Sequence, residues 1–247
     1  MPGMHGETPA GDGLASSASG FTFTPSASNL TAGQPTSYGF RIVGADGKPV
    51  TAFEPDQTKL MHFYVIRSDL TGFQHIHPTM SGDGTWTAQV QPLHPGVYRA
   101  YAAFIAKDGN SKAVPLVLSD QVSVAGEPVA VPLPPPASTT EVDGYTLTLS
   151  GRPVAGMSHP LTVTVAKGGK PVHDLQPYLD TYAHLTAFHE GDLTFAHLHP
   201  DGLASGDRGG PALSFQAMLS NPGNWRLFLQ FQTGGVLHTA AVTLPVG

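Results

Sequence analysis

Histidine carries the chemistry in this chain. The stretches "GFQHIHPTM" (Gly72–Met80) and "TFAHLHPDG" (Thr194–Gly202) repeat one pattern, aromatic–x–His–aliphatic–His–Pro, at a distance of 122 residues. Each copy has a third histidine thirteen residues upstream: His62 before His75, and His184 before His197. Alternate residues of a strand share a face, so His75 with His77, and His197 with His199, present two imidazoles side by side. A short turn ("SDLTG" in one copy, "EGD" in the other) folds the preceding strand back as a hairpin and brings His62 or His184 towards the pair. Three neutral imidazoles from two adjacent strands make a divalent transition-metal site, suited to Zn, Cu, Ni or Fe. The chain has twelve histidines and no cysteine, which excludes thiolate ligands, disulfides and a cysteine nucleophile.

Pairing register decides whether the third histidine joins. With Gly191-Asp192 as the loop, His184 falls opposite His199 on the same face; a slip of one residue sends it to the other side. Asp-Leu stands one place earlier in the first copy, so the two turns differ. His238, on the last strand ("GGVLHTAAV"), is a candidate fourth ligand in the second copy, with His173, Asp174 and His189 as further candidates. The first copy has no histidine at those equivalents but offers Met61, Met80 and His94, whose thioethers favour Cu(I). Met4 and His5 in "MPGMH" are a weaker soft-ligand signal. A lone strand histidine is more often a partly buried, hydrogen-bonded residue than a ligand. His-x-His-Pro can likewise be a strand end whose imidazoles bond nearby carbonyls. Against that bland reading, the three-histidine spacing recurs in copies whose other positions have mostly diverged. Trp86, Trp225 and the runs "YRAYAAF" and "WRLFLQF" read as core.

The elements that position these residues are strands. Short alternating runs rich in β-branched and aromatic residues ("FTFTPS", "TSYGFRIV", "LMHFYVIR", "TWTAQVQ") are bounded by Gly, Pro, Asp or Asn, the signature of an antiparallel sandwich. Gly 29 and Pro 23 fit a turn-rich β protein. Laying Gly47–Pro78 on Gly169–Pro200 without a gap gives ten identities in 32 positions, where chance gives about two. "PGVYRAYAAF" then matches "PGNWRLFLQF" after five extra residues in the second copy. The expected organisation is a disordered tail (1–20), a first β-sandwich (21–125), a Pro-rich linker (126–140) and a second β-sandwich (141–247). The fold class is all-β: two tandem homologous antiparallel sandwiches of immunoglobulin-like or cupredoxin-like type.

The formal charge of −6 with twelve Lys and Arg leaves no basic patch, so no nucleic-acid partner is expected. No run of eighteen apolar residues is present, so no transmembrane segment is expected. The opening residues lack the basic and apolar segments of a signal peptide. Scarce lysine and the Ser/Thr/Gly/Pro-rich start favour an extracytoplasmic protein (secreted, periplasmic or cell-surface) whose leader is not in this chain. No phosphate loop, nucleophile elbow or paired carboxylates for glycoside chemistry stand out.

The stretches "GKPVHDLQPYL", "AHLTAFHEGDLTFAHLHP" and "PGNWRLFLQFQTGGVLHTAAVTL" resemble secreted or lipid-anchored bacterial β-sandwich proteins of the heavy-metal, copper-binding type. The resemblance covers Tyr145 to Val246, with a weaker echo over Phe21 to Val124. It implies copper ligation by His184, His197, His199 and His238 in the second copy. Only His62, His75 and His77 carry over to the first.

Three functions are compatible with these features. The first is an extracytoplasmic metal-binding protein (chaperone, buffer or sensor) for copper, with zinc as the alternative ion. It would be partnered by a membrane metal transporter or another metal-handling protein, and its affinity would fall below about pH 6.5 as the imidazoles protonate. The second is a tandem structural or interaction module with structural histidines. The third is a three-histidine metalloenzyme, disfavoured because no carboxylate recurs at a fixed offset from the histidines in both copies.

Overall fold

The computed structural model describes residues 11–107 and 112–247, so Met4 and His5 lie outside the described residues. The chain divides into two compact units, Met1–Pro132 and Leu133–Gly247. The principal strands of the first are β1 (Phe21–Pro25), β2 (Thr36–Val43), β3 (His62–Arg67), β4 (Gln74–Ile76), β5 (Trp86–Val90), β6 (Gly96–Lys107) and β7 (Ala113–Val124). Those of the second are β8 (Tyr145–Ser150), β9 (Ser158–Lys167), β10 (Ala183–His189), β11 (Phe195–Pro200), β12 (Ala212–Met218), β13 (Gly223–Thr233) and β14 (Val236–Val246).

In the first domain β1–β2–β5 form one antiparallel sheet and β7–β6–β3–β4 the other. The alternation read from sequence is the alternation observed. Along β2, Tyr38, Phe40 and Ile42 point inward while their neighbours do not, as the period of a half-buried strand requires. Phe40 stacks on Phe63 across the sandwich, ring centroids 5.0 Å apart. Trp86 closes the same core and is buried, as Trp225 is in the second domain.

A three-on-four Greek-key sandwich of this kind is immunoglobulin-like, and a local feature supports the assignment. At the start of β6 the Tyr98 hydroxyl donates to the carbonyl of His94, four residues upstream, at 3.0 Å. That is the tyrosine corner of immunoglobulin-type sandwiches. The second domain keeps the bond with another side chain: Trp225 Nε1 donates to the Asn221 carbonyl at 2.9 Å. The two domains are therefore equivalent strand for strand, β1 to β8 through β7 to β14.

They differ in closure. In the second domain one path runs β8–β9–β12–β11–β10–β13–β14. Strand β11 pairs with β10 through residues 195–198 and then with β12 through His199 and Pro200. In the first domain β4 pairs only with β3, the ladder stops at Ile76, and Thr79–Met80 resumes on β5.

The segments expected as a tail and a linker contain ordered straps. Ser17–Ala18 pairs with β1, Ser119 N donates to the Ala15 carbonyl, and Arg99 donates to the Leu14 carbonyl at 2.9 Å. In the second domain Thr139–Val142 pairs with β8 and Ala137 N donates to the Thr243 carbonyl. In both domains the segment lies against the final strand and covers part of its outer edge; in the first domain Asn29–Leu30 pairs with the end of that strand. Composition announces small polar residues but not this edge, so the ordering was not visible in the sequence. Among the described residues no helix is long and apolar enough to cross a membrane.

Candidate metal centre

The hairpin β3–β4 sets the register of the first site. Phe63 pairs with Ile76, Tyr64 with His75 and Val65 with Gln74. Phe63 and Val65 enter the core, so His62, Tyr64 and His75 share the opposite face, with His62 level with His77. In the second domain Leu185 pairs with Leu198, Thr186 with His197 and Ala187 with Ala196. Adding 122 to each number of the first pairing gives the second. The register is the one that puts His184 level with His199.

Two glycines keep that register despite unequal turns. Asp69-Leu70-Thr71 and Asp192-Leu193-Thr194 build the same bend, with Leu70 and Leu193 both at φ 64°. The bend comes one residue later in the second copy, after Gly191. The first copy makes up the difference with Gly72 after the bend, at φ 67°, a conformation glycine adopts without strain.

In the first domain the three imidazoles converge. One ring nitrogen from each of His62, His75 and His77 lies within 4.8 Å of the others, the one such cluster among the described residues. His62 Nδ1 is 3.0 Å from His75 Nε2, and the His75 and His77 ring centroids are 4.7 Å apart. Tyr64 stacks against His75 at 4.4 Å and 18°, fixing the plane of that imidazole. His62 Nε2 lies 3.0 Å from the Asp56 carbonyl. His62 is buried and its partners are half-buried, so the cluster opens on one side. Burial holds His62 below its ordinary value, against the opposing influence of the Asp56 carbonyl. Burial, with His62 and Lys59 alongside, brings His77 down to about 3. Neutral imidazole, the ligating form, is thus favoured at His62 and His77.

The carbonyl on His62 belongs to a tight turn, Asp56–Lys59, closed by Asp56 N to Lys59 O at 2.8 Å and Lys59 N to Asp56 O at 2.9 Å. Its central residues, Gln57 and Thr58, sit at φ 43° and 70°. Two positive φ values in succession normally call for Asn-Gly, and a β-branched residue there is strained. The second domain repeats the device at Tyr178–Thr181, with Leu179 and Asp180 at φ 54° and 61°. Of the four central residues only Asp180 is a type that favours the left-handed region.

The second domain arranges its candidates differently. His184 and His197 are buried, with ring centroids 5.9 Å apart, and Tyr178 packs edge-on against His184 at 5.4 Å. His199 is fixed by register on β11; its side chain lies outside the described residues. His238 is not brought to this pair. It lies on the core-facing side of β14 with Ala240 and Val242, against Tyr145 and Phe231, whereas His184 is on the face of β10 opposite the core residues Ala183 and Leu185. Both its nitrogens are engaged: Nδ1 is 2.7 Å from Asp143 Oδ2 and Nε2 is 3.0 Å from Thr233 Oγ1. Thr233 in turn meets the Tyr145 hydroxyl at 2.7 Å. Strand pairing shows the reason. His238 faces Phe231, where Leu116 faces Phe104 in the first domain, so it replaces a core leucine and is stabilised by new polar neighbours.

His189 likewise has a structural role. It lies 2.7 Å from Asp192 Oδ1 and 3.0 Å from the Pro222 carbonyl. In the first domain Arg67 occupies this place, bonded to Asp69 and the Pro95 carbonyl. Burial opposes the Asp69 carboxylate, yet donors from Arg67, Thr71 and Val131 outweigh it and hold the group at about 2. Met61 is turned into the core, His94 and His173 are exposed, and Met80 packs against the core edge.

Among solved structures, an Escherichia coli adhesin, FdeC, aligns over 98% of this chain and 66% of its own, with 15% identity and a TM-score of 0.29. A tetra-tandem repeat from the extending region of a large adhesion protein aligns over 92% and 49%, with 13% identity and a TM-score of 0.29. Invasin, a bacterial integrin-binding protein, aligns over 93% and 40%, with 11% identity and a TM-score of 0.28. The chain spans less than two thirds of the length of each. No curated protein matches it. One family profile matches twice, over residues 16–122 and 140–247, the two halves that strand pairing and sequence repetition mark as copies. The chain belongs to the family of the domain of unknown function DUF8832 and carries that domain in tandem.

Proposed function

We propose that this protein is an extracytoplasmic metal-binding protein whose working site is the His62, His75 and His77 cluster of the first domain. The observation that carries the reading is the convergence of three ring nitrogens within 4.8 Å on a half-open face. Tetrahedral or trigonal coordination at about 2.0–2.1 Å per nitrogen needs only small movements from that arrangement. Copper is the proposed ion and zinc the alternative, since neutral imidazole serves both. His75 and His77 are only partly buried, which gives a bound ion a path for exchange. Such access suits a buffer or chaperone that hands its ion to a membrane transporter or another metal-handling protein. In the second domain His184, His197 and, by register, His199 form a reserve set. The extracytoplasmic setting rests on composition.

The test is titration of the metal-free full chain with Cu(I), Cu(II) and Zn(II), followed by desalting. One retained ion per chain, lost in the His75→Ala/His77→Ala variant, is the expected result. Retention by the variant equal to that of the parent would remove the site from the reading.

A second reading, a tandem structural or interaction module, is favoured by one observation. His62 is already engaged on both nitrogens, by Asp56 and His75, as a structural histidine would be. It predicts that the same substitutions lower stability while no ion is retained by the parent.

A further inference from the structure

We infer that His62 holds the ion through Nδ1 and that the Asp56–Lys59 turn, by placing the Asp56 carbonyl on Nε2, is the element that decides this. The inference rests on the proposed metal site and assigns its ligand atoms and their positioning element.

A carbonyl oxygen only accepts hydrogen bonds. At 3.0 Å from the Asp56 oxygen, His62 Nε2 must therefore carry the proton, and Nδ1 is the atom turned towards the other imidazoles. The second distance agrees, for it is Nδ1 that lies 3.0 Å from His75 Nε2. With His62 protonated on Nε2, the neutral cluster can satisfy that contact in one way: His75 donates its Nε2 proton to His62 Nδ1. The ion takes the position of this proton. His75 then carries its proton on Nδ1 and ligates through Nε2, so the proton count is unchanged. Fixing one nitrogen by an outer hydrogen bond so that the other is presented to the metal is the usual means by which a protein orients a histidine ligand. Here the outer partner comes from a backbone held in a costly conformation, with Gln57 and Thr58 both left-handed. Strain of that kind persists where the surrounding structure over-determines it. In the second domain the matching turn also packs the Tyr178 ring edge-on against His184.

The experiment uses the full chain labelled with 15N in histidine and observed through long-range 1H–15N correlations, metal-free and after addition of Zn(II) or Cu(I). The expected result is His62 protonated on Nε2 in both states, with Nδ1 alone moving to a ligated position. Ligation of His62 through Nε2 overturns the inference and leaves the metal site standing. No imidazole nitrogen moving with either ion overturns both. Variants test the turn itself. Thr58→Pro cannot adopt φ 70°; it should mix the His62 tautomers and weaken Zn(II) binding by about 10–100-fold. Gln57→Asn/Thr58→Gly, the pair such turns favour, should keep the parent's tautomer and affinity. An unchanged His62 tautomer and affinity in Thr58→Pro would sink the positioning role.

Discussion

The two domains carry the same histidine motif in the same hairpin register, and in the first the three imidazoles gather into one cluster. The two backbones differ at and just beyond the second histidine of the pair. In the second domain His199 and Pro200 stay in a ladder, opposite Gln216 and Phe215, and join the two sheets. In the first, the ladder stops at Ile76. His77 and Pro78 lie outside it, and the His77 ring stands 5.1 Å from His62 and 4.7 Å from His75. Backbone committed to pairing fixes where its side chains point, whereas backbone released from the ladder can turn a side chain inward. In the first domain, motif, spacing and the strand break together place the three imidazoles within reach of one another.

The largest expected effect breaks this comparison most directly. His75→Ala/His77→Ala should lower retention of Cu(I) or Zn(II) by well over about 100-fold, since it removes ligands where loss of an outer partner alone costs 10–100-fold. His184→Ala/His197→Ala should leave the first ion in place. Equal losses from the two variants, measured by metal analysis after desalting, would mean that the domains share one function and that the strand break is incidental.

The next effect concerns stability. His238→Ala removes the partner of Thr233 and Asp143 and opens space in the core, at a cost of about 2–3 kcal/mol in urea unfolding. Introducing the first domain's residues instead, as His238→Leu/Thr233→Ala, should cost less than about 1 kcal/mol, because Leu116 and Ala106 fill the same places there and replacing both polar partners avoids an orphan. A large loss from the double substitution would give the polar group a role beyond packing.

Much of the fold was legible because β-sandwich residues announce themselves locally. Tyr38, Phe40 and Ile42 alternate in the sequence as they do in burial. The repeat from Gly47 to Pro78 was visible because identities cluster at turns and histidines. The histidine triad was also legible, since period two and a short turn constrain which residues can meet. His238 was misplaced for a physical reason. A histidine on an alternating strand is assigned to a face only when its cross-strand partner is known, and Phe231 is a core residue. The Asp56–Lys59 turn escaped because neither Gln nor Thr favours the left-handed region, and in the second copy only Asp180 does; tertiary contacts overrode local propensity. The straps at residues 13–18 and 137–142 escaped because only the assembled sheet supplies an edge for them.

A smaller effect distinguishes the two compensating glycines. Gly72→Ala places a Cβ 3.1 Å from the Tyr98 ring at φ 67°, whereas Gly191→Ala at φ 99° meets nothing within 4 Å. Both bear the backbone penalty of a left-handed alanine, about 1–2 kcal/mol. Gly72→Ala should exceed Gly191→Ala by a further increment, because the Tyr98 ring is held by its bond to His94 and cannot retreat freely. Equal costs by urea unfolding would mean that the corner yields and that the register is set elsewhere.

The last expected effect is the part of the pH slope that the first domain's histidine cluster contributes. Burial lowers His62, and burial with His62 and Lys59 lowers His77 to about 3. The unfolded chain takes up protons at these residues near the ordinary histidine value of about 6.5, while the folded metal-free domain resists them. Between about pH 6.5 and pH 3 the unfolded state therefore binds more protons, and stability must fall as pH falls through that window. Above it the contribution is constant. Replacing His77 with a neutral residue should flatten the slope, measured as the urea midpoint against pH. A slope of undiminished size in that variant would place its origin in other groups and would show that His77 is not held neutral by its surroundings.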